Sequence, residues 1–206
     1  MNKVDSILKM VTNQLIIKKS TFITQLYPVA FMKDIEHILQ HVRKTNPDAS
    51  HYCYGYILGE DAEVQKYSDD GEPSQTAGFP IMNVLKKQSL TNILCVVIRY
   101  YGGIKLGAGG LVRAYTKSTS EALKIATRVS PQAMVSVQIK TTFAASGSVE
   151  AFLRDNATIT ESIYEDVVTF IIEVSKDDYD LIESRVRDLT SANAECSITQ
   201  EYTRYR

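Results

Sequence analysis

The sequence predicts an α+β protein of two domains, and three observations carry that prediction. Strand-like and helix-like apolar patterns mix along the whole chain instead of alternating strictly as β-α-β units. The charge changes sign along the chain: residues 1–133 hold 16 Lys/Arg against 11 Asp/Glu, and residues 134–206 hold 7 against 13. Between the two, Val129-Ser130-Pro131-Gln132 interrupts the apolar periodicity and reads as a linker. The expected boundaries are residues 1–130 and 134–206, within a 206-residue chain long enough for two ordinary domains.

In the first domain, Leu15-Ile16-Ile17 and Thr21 to Leu26 read as two strands of a hairpin joined through Lys18-Lys19-Ser20. Phe31, Ile35, Ile38, Leu39 and Val42 recur at helical spacing, so residues 31–45 form an amphipathic helix that ends before Asn46-Pro47. His51 to Leu58 alternates like a strand. Ile93-Leu94-Cys95-Val96-Val97-Ile98 is almost wholly apolar and rich in β-branched residues, which marks a buried central strand. Leu111 to Arg128 places Leu111, Ala114, Tyr115, Ser118, Ala122 and Ile125 on one helical face.

The second domain begins with an alternating strand, Val135 to Phe143, followed by a helix over 147–156 capped by Ser146 or Ser148. Two strands follow, Thr158–Tyr164 and Val167–Val174. A helix opened by Asp177 or Asp178 runs through Leu189, and a last strand runs from about Ala194 to Tyr202. The order βαββαβ is that of a ferredoxin-like sandwich.

Composition narrows the function classes. No run approaches the roughly 20 apolar residues that a membrane helix needs, and Met1 to Ser6 lead into no signal-peptide pattern. The three cysteines, Cys53, Cys95 and Cys196, are widely spaced, and the first two lie in apolar runs. Reduced, buried thiols and a cytoplasmic location are therefore expected. Between Lys86 and Arg128 eight basic residues face a single acid, Glu121, which makes the first domain the candidate for polyanions such as RNA.

Seven of the ten glycines fall between Ser68 and Arg113. Gly107-Ala108-Gly109-Gly110 leads into a helix, whose first-turn amides lack internal partners and attract anions. Lys105, Arg99 and Arg113 are the candidate phosphate contacts, with Gly107, Gly109 and Gly110 supplying amides and Gly102-Gly103 a further backbone approach. Neither a Walker loop nor a dinucleotide fingerprint is present, because both spacings are missing. Tyr100 and Tyr101, and alternating Tyr52, Tyr54 and Tyr56, are candidates for stacking on bases, worth about 1–3 kcal/mol each when exposed; packing against helices is the other use of such tyrosines.

Two constellations leave alternatives open. Asp69, Asp70 and Glu72 could hold Mg²⁺ beside a phosphate, or serve as ordinary turn chemistry in Ser68-Asp69-Asp70-Gly71-Glu72-Pro73. His37 and His41 share a helix face while His51 and Cys53 share a strand face, but nothing in the sequence joins the two pairs into a zinc site. No nucleophile–base arrangement stands out, so no catalytic residue is assigned and no cofactor is expected.

At Ser68-Asp-Asp-Gly-Glu-Pro, Thr76-Ala-Gly-Phe-Pro and Arg99-Tyr-Tyr-Gly-Gly-Ile-Lys-Leu-Gly-Ala-Gly-Gly-Leu-Val-Arg-Ala-Tyr the chain resembles the IMPACT family, in particular its bacterial YigZ-like branch. Lys18-Lys19-Ser20-x-Phe22-Ile23 and His51-x-Cys53 are similar to that family's N-terminal motifs, while Gln75 departs from them where glycine is expected. The resemblance implies a first domain like domain 2 of ribosomal protein S5 and a ferredoxin-like second domain, paired as in the C-terminal domains of elongation factor G, of which domain V supplies the ferredoxin-like half. Family members with an added RWD domain are translational regulators under amino-acid stress; these 206 residues leave no room for it, so that pathway is not carried over. The expectation is an RNA- or ribosome-associated modulator of translation without established catalysis, its acidic second domain free to meet a protein partner. A phosphate- or nucleotide-binding enzyme and a protein-interaction module are the competing classes.

Overall fold

A computed structural model describes residues 4–206, and the chain divides into two compact units. The first comprises the chain up to Ser130 together with Tyr205–Arg206, and the second comprises Pro131–Arg204.

The first unit begins with the two-residue β1 (Ser6–Ile7), then β2 (Val11–Ile17) and β3 (Ser20–Pro28). It continues with α1 (Met32–Thr45), β4 (His51–Leu58), β5 (Val64–Ser68) and α2 (Gly78–Lys87). The unit closes with β6 (Ile93–Tyr100), α3 (Ala108–Lys124) and β7 (Arg128–Val129), which pairs with β1. Five strands form one antiparallel sheet in the order β2-β3-β6-β4-β5. The apolar run read as a central strand is the middle one, and residues 93–99 are all buried, as two covered faces require.

Alternation along the strands separates two cores. Phe22, Leu26, Cys53, Ile57, Cys95 and Val97 face α2 and α3, where they meet Ile81, Leu85, Leu111, Tyr115 and Ala122. Tyr52, Tyr56, Leu94, Val96 and Ile98 face α1 and close over Ile35 and Val42. Tyr52 and Tyr56 are buried, and Tyr54 stacks on Tyr56 with ring centroids 6.4 Å apart. These tyrosines are therefore packing residues. An apolar body with one polar end suits that use, and the Tyr52 hydroxyl donates to the Asn46 carbonyl.

Four elements go beyond the sequence expectation: β5, α2 and the short strands β1 and β7, the last formed by Arg128 and Val129, whose sequence reads as helix end and linker. Helix α2 opens with Gly78-Phe79-Pro80, residues that punctuate chains as turns, yet proline is tolerated in a helix's first turn where its missing N–H is not needed. Helix α3 starts three residues earlier than periodicity placed it and ends at Lys124, because the glycines carry no apolar signal.

The second unit runs β8 (Pro131–Thr141), α4 (Phe143–Asn156), β9 (Thr158–Tyr164), β10 (Val168–Ser175), α5 (Tyr179–Leu189) and β11 (Glu195–Tyr205). This is the expected βαββαβ order, and the sheet order is β11-β8-β10-β9. Val135, Val137, Ile139, Phe170 and Ile172 alternate inward onto Val149, Leu153, Ile182 and Val186. The start of α4 corrects the sequence expectation. Thr142 precedes its first turn, and Ser146 and Ser148 lie inside the helix, where their hydroxyls donate back to the carbonyls of Phe143 and Ala145, both at 2.9 Å.

Helix α3 is pinned to the sheet by a buried hydroxyl pair, Thr24 Oγ1 and Ser118 Oγ, 2.6 Å apart. Removing one partner strands the other in an apolar core, whereas removing both leaves nothing unpaired. Thr24→Val alone should cost about 1–3 kcal/mol in urea unfolding, and the Thr24→Val/Ser118→Ala double variant should recover about 1 kcal/mol or more relative to additivity.

Candidate functional site

The glycine-rich segment between β6 and α3 lies at one end of the first unit's sheet. Gly102 packs so closely on the β2–β3 turn that a Cβ there would lie 2.0 Å from the carbonyl carbon and oxygen of Lys19. Only glycine fits. The turn itself is Lys18-Lys19, with φ of 46° and 65°, closed by the Ile17–Ser20 pair. Two left-handed residues are what a tight hairpin turn requires, and asparagine or glycine would normally supply them. The two exposed lysines are thus seated beside the glycine segment, a juxtaposition that hairpin and loop read separately do not reveal.

Gly107, with φ of 70°, precedes α3, and the first helical hydrogen bond runs from the Leu111 amide to the Gly107 carbonyl. Ala108, Gly109 and Gly110 therefore form the first turn, and theirs are the amides without helical partners. The sequence expectation had placed these glycines before the helix; without side chains they expose the amides from within it. No acidic residue lies in that turn and no side chain caps it. Arg113 lies one turn further on than expected, but its side chain runs back toward the N-terminus, with Nη1 3.5 Å from where a Gly109 Cβ would stand.

Beneath this surface lies a cleft of about 360 Å³ lined by His51, Glu72, Pro73, Arg99, Tyr101, Lys105, Leu106, Gly107, Ala108 and Leu111. Arg99, Tyr101, Lys105 and Gly107 thus converge, while Gly102, Gly103 and Gly110 shape the backbone around them. Tyr100 does not join. It turns to the α1 face, where its hydroxyl donates to Asn46 Oδ1 at 3.0 Å.

Arg99 is buried, with 4% of its surface exposed, and is not a freely reaching phosphate contact. Its Nη1 donates to Glu72 Oε1 at 2.6 Å, and its Nη2 donates to Ser20 Oγ at 3.4 Å. Glu72 Oε1 also accepts from the Tyr115 hydroxyl at 2.7 Å. The Cys53 thiol lies 3.3 Å from that hydroxyl and 3.0 Å from the Asp69 carbonyl, and Ser20 Oγ also accepts from the Gly102 amide at 3.2 Å. A continuous buried polar seam therefore runs from the acidic turn to the glycine segment. Burial pushes the Cys53 and Tyr115 protons well above their ordinary range, so neither group serves as a neutral-pH nucleophile. Burial likewise pushes the Cys95 thiol up to about 12.

The three carboxylates proposed for Mg²⁺ point to different partners. Asp69 accepts from the amides of Gln75, Ala77 and Gly78 at 2.8–2.9 Å, which closes the turn and caps α2. Asp70 accepts from the Tyr52 amide and pairs with Arg43 at 2.5 Å. Glu72 is held by Arg99 and Tyr115. Among the described residues no three His, Cys, Asp or Glu side chains gather as a metal-binding group. His37 and His41 are exposed on α1, whereas His51 lines the cleft, with Nδ1 2.9 Å from the Asp70 carbonyl and Nε2 3.9 Å from Glu72 Oε2. Gln75, where glycine was expected, has φ of 62°, so the backbone demand persists with a side chain that meets it under strain.

Residues 18–123, which span the hairpin turn, acidic turn, cleft and glycine segment, match the Impact N-terminal domain. The IMPACT family member YvyE of Bacillus subtilis is 36% identical over 184 residues, covering 89% of this chain and 85% of that protein. The chain belongs to the IMPACT family. Residues 139–193 match a domain of unknown function, DUF1949. The family member YigZ of Escherichia coli is 43% identical over 110 residues, 52% of this chain and 54% of that one. Human Protein IMPACT is 35% identical over 95 residues, 44% of this chain but 29% of that protein. A crystal structure described as that of a hypothetical protein superposes with a TM-score of 0.63 at 30% identity, covering 97% of this chain and 98% of that one. No helix among the described residues is long and apolar enough to cross a membrane.

If Asp69 holds the acidic turn as its contacts indicate, Asp69→Ala should lower stability by about 2–4 kcal/mol in urea unfolding, because three amides lose a charged acceptor. A loss under about 0.5 kcal/mol would show that the turn closes without it.

Proposed function

We propose that this chain associates with RNA or the ribosome through the cationic, glycine-rich end of its first unit and thereby modulates translation. The observation that carries the proposal is the seating of Lys18-Lys19 against Gly102. It brings the lysine turn against the glycine segment that carries Lys105 and leads into α3, where the open amides and Arg113 lie. Each of the four side chains is exposed, and none forms an ion pair with a carboxylate among the described residues. Cations left without carboxylates, beside helix-end amides, favour a polyanion. Left-handed backbone at a non-glycine residue costs about 1–2 kcal/mol. Two lysines in such a turn therefore suggest a use for their charge that outweighs the strain. Tyr101, 48% exposed beside Arg99, offers a ring for stacking. Family resemblance supports the translational part of the proposal, and the acidic second unit is assigned a protein-facing role.

Phosphate contacts reveal themselves in salt dependence. For single-stranded RNA, each lost contact should reduce the slope of log K against log salt by about 0.7. Lys18→Ala/Lys19→Ala/Arg113→Ala should flatten that slope by about 2 in fluorescence-anisotropy titrations and weaken binding at low salt. A slope equal to that of the wild type would refute the assignment, as would absence of binding by the wild type at low salt.

A further inference from the structure

The cleft beneath the cationic surface has features that backbone phosphate contact does not require. Its exposed cation is Lys105, close in sequence to the first-turn amides of α3. Its sides are apolar: Tyr101, Leu106, Leu111 and Pro73. Its inner end is polar, where His51 Nε2 and Glu72 Oε2 stand 3.9 Å apart. Glu72 uses Oε1 for both Arg99 and Tyr115, which leaves Oε2 as the oxygen toward His51. The Arg99 side chain lines the same cleft at 5% exposure. At about 360 Å³ the cleft falls at the small end of ligand sites, roughly 300–1,000 Å³.

We infer that this cleft binds one nucleoside monophosphate group, with its phosphate at Lys105 and the amides of Ala108, Gly109 and Gly110, and its base between Tyr101 and the Leu106–Leu111 wall. The base edge then meets two acceptors, Glu72 Oε2 and His51 Nε2: the Asp70 carbonyl beside His51 Nδ1 can only accept, so the neutral ring carries its proton on Nδ1. A carboxylate paired on one oxygen and open on the other favours a ligand edge carrying N–H groups, which an exocyclic amine provides. A single lysine and one helix end suit one phosphate better than a polyphosphate chain. The group comes either as a free mononucleotide or as the terminal nucleotide of an RNA strand. The site shares Lys105 and the α3 amides with the outer surface proposed above, but Lys18, Lys19 and Arg113 are not among its lining residues.

The test is a ¹H–¹⁵N NMR titration of the full chain with AMP, UMP, adenosine and inorganic phosphate. AMP should shift the amides of Tyr101 and residues 105–111 saturably, with adenosine and phosphate each weaker by roughly tenfold or more. Lys105→Ala should weaken AMP by roughly tenfold, and Ala108→Phe, a substitution at an exposed helix-start position, should block the cleft. Displacement of AMP by a 5′-phosphorylated hexaribonucleotide, but not by its 5′-hydroxyl form, would assign the ligand to an RNA end; failure of both would assign it to a free nucleotide. Either result upholds the site. No saturable shift with AMP or UMP, phosphate alone matching AMP, or shifts that persist in Ala108→Phe would overturn it. Lys18→Ala/Lys19→Ala should retain AMP while losing salt-dependent RNA affinity, and a wild type that binds RNA in a salt-dependent way but gives no saturable AMP shift would overturn this inference alone, so the two proposals fail separately.

Discussion

The contact on which the rest of the first unit depends is the buried pair between Arg99 and Glu72. Arg99 ends the central strand and Glu72 belongs to a turn that follows the edge strand β5, so their 2.6 Å contact draws that turn over the end of the sheet. Taking two charges out of water costs several kcal/mol per ion, which a pair alone does not reliably recover. Further partners improve the balance: Tyr115 donates to the carboxylate, Ser20 accepts from the guanidinium, and the Phe22 ring lies 5.4 Å from Arg99 Cζ. Tyr115 adds α3 to the arrangement and Ser20 adds the hairpin and Gly102. One buried network thus fixes the relative positions of the four segments that form the cleft and the cationic surface.

The same network determines the sign of the surface. Asp69, Asp70 and Glu72 each turn toward amides, Arg43 or Arg99, so the acidic turn presents little unspent charge to the cleft. Lys18, Lys19, Lys105 and Arg113 have no such partners among the described residues and are exposed. With its three carboxylates turned to internal partners, the acidic turn offsets little of the cationic charge around the glycine segment. This argues against the Mg²⁺-dependent enzyme class, whose three ligands are otherwise occupied, and favours binding of anions.

Much of this was legible in the sequence, for identifiable reasons. The hairpin, α1, β4, the central strand and the βαββαβ order followed from apolar periodicity, which burial on one or two faces imposes directly. The glycine-rich motif located the site because close approach and positive φ leave few alternatives to glycine. What periodicity could not show was carried by local polar chemistry. Helix α2 was hidden by Gly78 and Pro80, and the first turn of α3 by its glycines. The inward roles of Arg99, Asp70 and Glu72 depend on partners 27 or more residues away, Glu72 for Arg99, Arg43 for Asp70 and Tyr115 for Glu72, whereas Asp69 closes on the nearby amides of Gln75, Ala77 and Gly78. Tyr52 and Tyr56 pack for the same reason: the strand face they share is covered by a helix whose contact with it no spacing rule specifies.

The most direct test of this account is hydrogen exchange, measured by mass spectrometry, on the wild type and Glu72→Gln, which keeps the side-chain size and removes its charge. Local exchange reports the free energy of opening segment by segment. Faster exchange in residues 69–78 and 102–112, with the second unit unchanged, is the predicted result. Equal protection of both segments in the two proteins would show that the cationic face is held together by something other than the Arg99–Glu72 pair.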